Sequence, residues 1–234
     1  FGDWANPLIG HMQYSQRDPN RDHVHGRIYR LVYKDKPLLK PVTQFGKTVP
    51  ELLKQLSEYE WRTRARVRNE IHSHTAAEVL PLVKEWVSKL DKSNKDYDRL
   101  CCEALWIQHS FHAVDVELVK QVMGCKTPDA KAAATRVVAD ERDYLPSAFD
   151  LLKAASLDEN SRTRTEALRG LSYFSTTESA SAVLESLRKN PPDYFTQYTG
   201  EAALGANLNG WRTGYLKGEL AKDDPAGKKL LDNV

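Results

Sequence analysis

Between positions 11 and 27 the sequence gathers side chains that could do chemistry: His11, Arg17, Asp18, Arg21, Asp22, His23, His25 and Arg27. Arginines make forked hydrogen bonds to carboxylates. Imidazoles can act as general bases or metal ligands. His23 and His25 are two apart, so on a strand both rings share one face. That spacing permits a metal but does not single one out. A structural reading stands beside the chemical one. Asp18-Pro19-Asn20 is a turn signal, and Arg/Asp pairs can lock such a loop against a β-domain rim. These residues are therefore candidates for cofactor binding or for contact between domains. No residue of the chain is assigned a catalytic or metal-ligating role.

Elsewhere the chemistry thins out. His109 and His112 are three apart on an expected helix and so share a face, while His72 and His74 sit at a helix end. HExxH is absent, which removes a zincin reading. Glu103 lies six residues before His109, on a different part of the helix surface. Arg62, Arg64, Arg66 and Arg68 alternate by two, which on a helix spreads charge over more than one face. They are expected to cap carbonyls or to pair with acidic residues such as Glu58, Glu60 and Glu70. Trp61, Trp86 and Trp106 fall at helical positions and read as packing residues. Cys101, Cys102 and Cys125 show no CxxC or CxxCH pattern, so they read as buried thiols rather than zinc or haem ligands.

The elements that must position these residues change character along the chain. Residues 27–33, RIYRLVY, alternate as a strand does. They have no sheet of their own, so they are expected to pair with a strand from elsewhere. The whole stretch 4–33 reads as the tail of a β-domain, and the chain as a piece of a larger polypeptide. Two prolines and a glycine make residues 35–48 a linker. Val49-Pro50-Glu51 then opens a helix with proline near its first turn, and Leu52, Leu53 and Leu56 form its apolar face. WRTRARVRNEI, YDRLCCEALW, TPDAKAAATRVV and DENSRTRTEALRGL follow as helical signatures. Second helices are expected over 76–90, 114–123, 145–155 and 179–188. Lys131 aligns with Arg164, Ala134 with Ala167 and Val138 with Leu171, one helix pair apart. A pair with one apolar face per helix cannot bury itself, so pairs stack. The expected fold is mainly α, an α-solenoid over 49–216 after a short β segment (1–34) and the linker. Residues 217–234 read as a polar, truncated tail.

Composition excludes several classes. With 34 basic and 32 acidic residues the net charge is +2, too balanced for a nucleic-acid or anionic-membrane footprint. No apolar run approaches the roughly 18 residues of a transmembrane helix.

The segment DWANPLIGHMQYSQRDPNRDHVHGRIYRL resembles the closing part of the glucose/sorbosone-dehydrogenase-like β-propeller in the large haem-binding CxxCH "membrane-bound dehydrogenase" proteins of planctomycetes and their relatives. The later helical signatures, with DYFTQYTGEA, resemble the HEAT-type repeats that follow that propeller. RDPNRDHVHGRIYR is the most specific part. The resemblance implies a HEAT-repeat spacer between an upstream catalytic propeller and a downstream haem domain, or facing another polypeptide. The parent would oxidise a sugar-like or other alcohol in the periplasm or cell envelope. Pyrroloquinoline quinone, calcium and haem c would be its cofactors, none of them held by this chain. A freestanding α-solenoid that binds protein without a redox role is the alternative.

Overall fold

The computed structural model describes Gly2, Asp3, Pro19 and residues 24–234. The chain divides into two compact units, Phe1–Thr43 and Gln44–Val234. In the first, β1 (Gly2–Asp3) pairs antiparallel with β2 (Arg27–Ile28), matching Gly2 with Ile28 and Asp3 with Arg27. The strand expected over 27–33 is thus only two residues long, and its partner comes from the same chain. Ile28 and Leu31 remain 94% and 87% exposed, so among the described residues the alternation has no apolar layer to face.

The second unit begins inside the expected linker. Gln44 is buried and its side chain bonds both Gln55 and Arg66. Helix α1 (Val49–Gln55) starts where the Val-Pro-Glu signal puts it, and Leu52, Leu53 and Leu56 are all buried. Glu51 reaches back to accept from both the backbone N–H and the hydroxyl of Thr48, at 3.0 and 2.8 Å. Five helix pairs follow: α2 (Trp61–Ile71) with α3 (Ala76–Ser88), α4 (Tyr97–Ser110) with α5 (Val116–Met123), and α6 (Pro128–Asp140) with α7 (Ala148–Ala155). Then come α8 (Ser161–Leu171) with α9 (Thr177–Lys189) and α10 (Tyr194–Ala206) with α11 (Leu208–Leu216). First helices stack on first helices, α4 on α6, α6 on α8 and α8 on α10. Each of α5, α7 and α9 packs against the first helices on either side of it. The described residues form a mainly helical, solenoid-like array.

The local reasons repeat with the helices. Asn160 and Asp193 stand one helix pair apart as N-caps, and their side chains accept from the backbone of Thr163 and Thr196. Ala134 and Ala167 are fully buried on the packed face, with Leu168 and Leu171 beside Ala167. Gly200 occupies the matching place on α10. A Cβ there would stand about 2.9 Å from Leu187, so the small residue is what admits α9. Arg64 and Arg164 close the same turn in two different repeats. Arg64 donates to the carbonyls of Glu58 and Tyr59, both at 2.8 Å. Arg164 donates to those of Asp158 and Glu159, both at 2.9 Å.

The stretch read as a polar tail holds a further helix, α12 (Pro225–Asp232), capped by Asp224 and followed by Asn233. Leu220 and Leu231 are buried, and Tyr215 donates to Asp232 at 2.6 Å. Two leucines in a polar sequence suffice to dock a short helix.

Two outcomes follow from this packing. Ala167→Asp places an unpaired charge where the native side chain is fully buried, and should cost several kcal/mol, read as a large drop in melting temperature. Glu51 is held down from 4.5 to about 2 by its bonds to Lys47 and Thr48. A depressed carboxylate contributes stability above its unfolded value and loses it as pH falls through its folded value. Wild type should therefore exceed Glu51→Gln in melting temperature above pH 4.5. The gap should close as the pH approaches 2 in a thermal-melt series.

Candidate binding groove

The candidate cluster of the first unit falls mostly beyond the described residues. His11, Arg17, Asp18, Arg21, Asp22 and His23 lie outside them. His25 and Arg27 are described, and both are exposed. Chemistry that the described residues do bring together lies on the stacked first helices.

Helix α4 carries a glutamate through an otherwise apolar stretch. Glu103 is 2% exposed. Arg64 Nε approaches one carboxylate oxygen at 3.5 Å, and Arg68 Nη1 donates to the other. Both arginines come from α2, so the pair of charges ties one repeat to the next. Arg68 also covers the ring of Trp106, 5.6 Å from its centroid. The basic run caps carbonyls and pairs with an acid of the next repeat as expected, but that acid is Glu103 rather than Glu58 or Glu70. Arg64 meets the backbone of Glu58 rather than its carboxylate. Arg66 binds Gln44 and Thr63, with Glu60 at 3.9 Å. Glu70 accepts from the backbone of Gly46, and Arg62 lies over Trp61. A lone acid among Cys, Ala, Leu and Ile was the signal for Glu103, because a buried carboxylate needs a cation.

A second buried acid sits at the end of α6. Glu141, 1% exposed, follows that helix as its C-cap residue. His109 Nδ1 stands 2.6 Å from Glu141 Oε1 and His112 Nδ1 3.0 Å from the same oxygen. Both rings face that oxygen through Nδ1. The other oxygen, Oε2, is buried and has no partner among the described residues. The histidines do not share a helix face as expected. Helix α4 ends at Ser110, and His112 lies beyond it with φ at +51°. The turn, not the helical repeat, brings the second ring to Glu141. Tyr144 flanks His112, their ring centroids 5.7 Å apart.

Beside these acids a groove of about 230 Å³ opens between α4, α6 and α8. Trp106 and His109 form one wall, Ala132, Ala133 and Val137 the apolar floor, and Arg136, Asp140, Arg162 and Glu166 the polar rim. Arg136 grips Glu166 through Nε at 3.2 Å and Nη2 at 2.9 Å. Arg169 bridges Glu166 and Asp140, while Arg162 pairs with Asp129 at 2.6 Å.

The remaining sequence candidates have structural duties. His72 stacks on Phe111 with centroids 4.8 Å apart, and His74 bonds Glu78 and the Lys47 carbonyl. Trp86 and Trp106 pack against the core, whereas Trp61 is 61% exposed and departs from the packing role expected of it. Cys101 and Cys102 are buried and Cys125 half-buried. Burial pushes the Cys102 thiol up to about 12, which keeps it protonated and unreactive near neutrality. Among the described residues no group of three or more His, Cys, Asp or Glu could hold a metal ion. No described helix is long and apolar enough to cross a membrane.

No family model matches the chain, and no curated protein matches it.

The Glu103 clasp yields a test of inter-repeat coupling. Removing its carboxylate leaves Arg64 and Arg68 facing each other across a buried gap. Glu103→Ala should cost about 2–4 kcal/mol in urea unfolding. In a double-mutant cycle with Arg68→Ala the two losses should not add.

Proposed function

We propose that this chain is a HEAT-like scaffold: its stacked helix pairs hold a partner polypeptide or domain in a fixed place. The stacking of α4, α6, α8 and α10 carries the reading, because it lays one continuous layer with an open groove on its face. Such arrays owe their stability to neighbour contacts and offer an extended binding surface.

The sequence resemblance gives the scaffold its setting. In this proposal the chain is the spacer of a quinoprotein-like, haem-linked dehydrogenase of the periplasm or cell envelope. It positions a catalytic propeller against an electron-transfer domain. The division at Thr43, with a paired β segment on one side and helices on the other, is compatible with a propeller end joined to a spacer. The chain has no CxxCH, so a covalent haem would be held by another segment. Quinone and calcium would be the propeller's. Arg17, Asp18, Arg21 and Asp22 would then serve contact between domains, with His11, His23, His25 and Arg27 beside them.

The groove also favours a second reading, a freestanding module that binds a protein. An antibody against this chain, used to isolate the native protein from its source, separates the two. The spacer reading expects a polypeptide longer than 234 residues that carries a c-type haem absorbance band surviving acid–acetone extraction. A native protein of this length without haem would overturn the spacer reading and leave the binding module.

A further inference from the structure

The groove between α4, α6 and α8 carries a statement about what it holds. We infer that it docks an acidic polypeptide segment that inserts one apolar side chain between flanking carboxylates. This rests on the reading of the array as a partner-presenting scaffold and names the chemistry of that partner.

Shape supplies the first argument. About 230 Å³ of space over Ala132, Ala133 and Val137, walled by Trp106, suits a single large apolar side chain. Charge supplies the second. Around the groove several carboxylates lie beneath the side chains that bond them. The side chains of Glu103 and Glu141 are 3% and 2% exposed and that of Glu166 is 14% exposed. The groups above them face solvent far more: Arg68 at 34%, His112 at 68% and Arg136 at 60%. At Glu103 and Glu166 the guanidinium therefore faces outward, while the Arg162–Asp129 and Arg169–Asp140 pairs expose base and acid about equally, at 67% and 77% and at 31% and 39%.

Hydrogen-bonding capacity supplies the third argument. Arg136 holds Glu166 through Nε and Nη2, and Nη1 makes no bond to it. Arg162 holds Asp129 through Nη1, and its other two nitrogens make no bond to that acid. A guanidinium has five donor hydrogens, so each can take an incoming carboxylate while keeping its internal partner.

The acids also set the limit on the ligand. Asp140 at the rim is 39% exposed, and Asp129, the partner of the rim's Arg162, is 77% exposed. A dense polyanion such as a nucleic acid would meet them as like charges. Carboxylates spaced by an apolar residue can straddle them, and a peptide has that spacing.

The test uses the whole chain and fluorescence anisotropy. The probe is a fluorescein-labelled peptide with two glutamates on each side of one phenylalanine. Controls replace the glutamates with lysine or the phenylalanine with serine. The glutamate–phenylalanine peptide should bind about tenfold more tightly than either control, a difference of about 1.4 kcal/mol. The double variant Arg136→Gln with Arg162→Gln should lose that advantage while retaining its helical circular dichroism. Ala133→Leu fills the floor without touching a charge. It should abolish the preference for phenylalanine over serine and keep the preference for glutamate over lysine. Equal binding of the lysine peptide, or undiminished binding to the double variant, would overturn the inference. So would a twelve-residue oligothymidylate that competes as well as the peptide. If the double variant unfolds, the Ala133→Leu comparison decides alone. None of these outcomes bears on the length or haem content of the native protein, so the spacer reading stands or falls separately.

Discussion

Close approach of the first helices is the constraint on which the rest depends. Ala134 and Ala167 put only methyl groups on the packed faces of α6 and α8, and Gly200 on α10 makes room for Leu187 of α9. Helices whose axes come this near bury an apolar face that neither could bury alone. The approach has a second effect. It brings polar groups on neighbouring helices within ion-pair range: Arg136 and Asp140 on α6, Glu166 and Arg169 on α8. Larger residues on the packed face would separate both the core and the ladder of charges above it. Packing and surface chemistry are thus set by the same small side chains.

Burying a carboxylate is expensive unless cations and hydrogen-bond donors surround it. Glu103 and Glu141 show two solutions. Glu103 receives two arginines from the preceding repeat, so its burial couples α2 to α4. Glu141 receives two imidazoles from the end of α4, which couples that end to the end of α6. The acids act as fixed points and the longer cationic side chains reach to them. Because the reaching groups come from outside, they remain nearer to solvent than the acids they bond. The outward guanidinium over Glu103 is a consequence of how the repeats are joined.

Much of the helical array was legible because its signals are local and repeated. Opening helices carry a cap residue, a basic residue and a small residue at recurring offsets, and these survive as N-cap bonds at α2, α8 and α10 and as the buried Ala134 and Ala167. The pairing of Arg68 with Glu103 was not legible, since 35 residues separate them and the alternation of arginines pointed to nearer acids. His112 was misplaced for a different reason. The helical period was carried one turn too far, past a residue in the left-handed region that ends α4. Helix α12 was missed because its apolar content is confined to residues such as Leu230 and Leu231, too few to form a periodic pattern. The groove itself has no sequence signature. Its floor comes from α6, its wall from α4 and part of its rim from α8, and only stacking brings them together.

The two units also differ in how sequence pattern relates to burial. In the helices the apolar period of 3.6 predicts the core because a neighbouring helix covers each apolar face. In residues 27–33 the alternation is equally regular, yet Ile28, Leu31 and Val32 stay exposed. Periodicity states which residues would share a face, and it takes a second layer to bury that face. Two ladder positions against Gly2–Asp3 supply hydrogen bonds but no such layer. Covering Ile28 and Leu31 would return about 1.5–3 kcal/mol for each side chain fully buried. Among the described residues that return is not collected, so in this segment the alternation marks a shared face without a buried one.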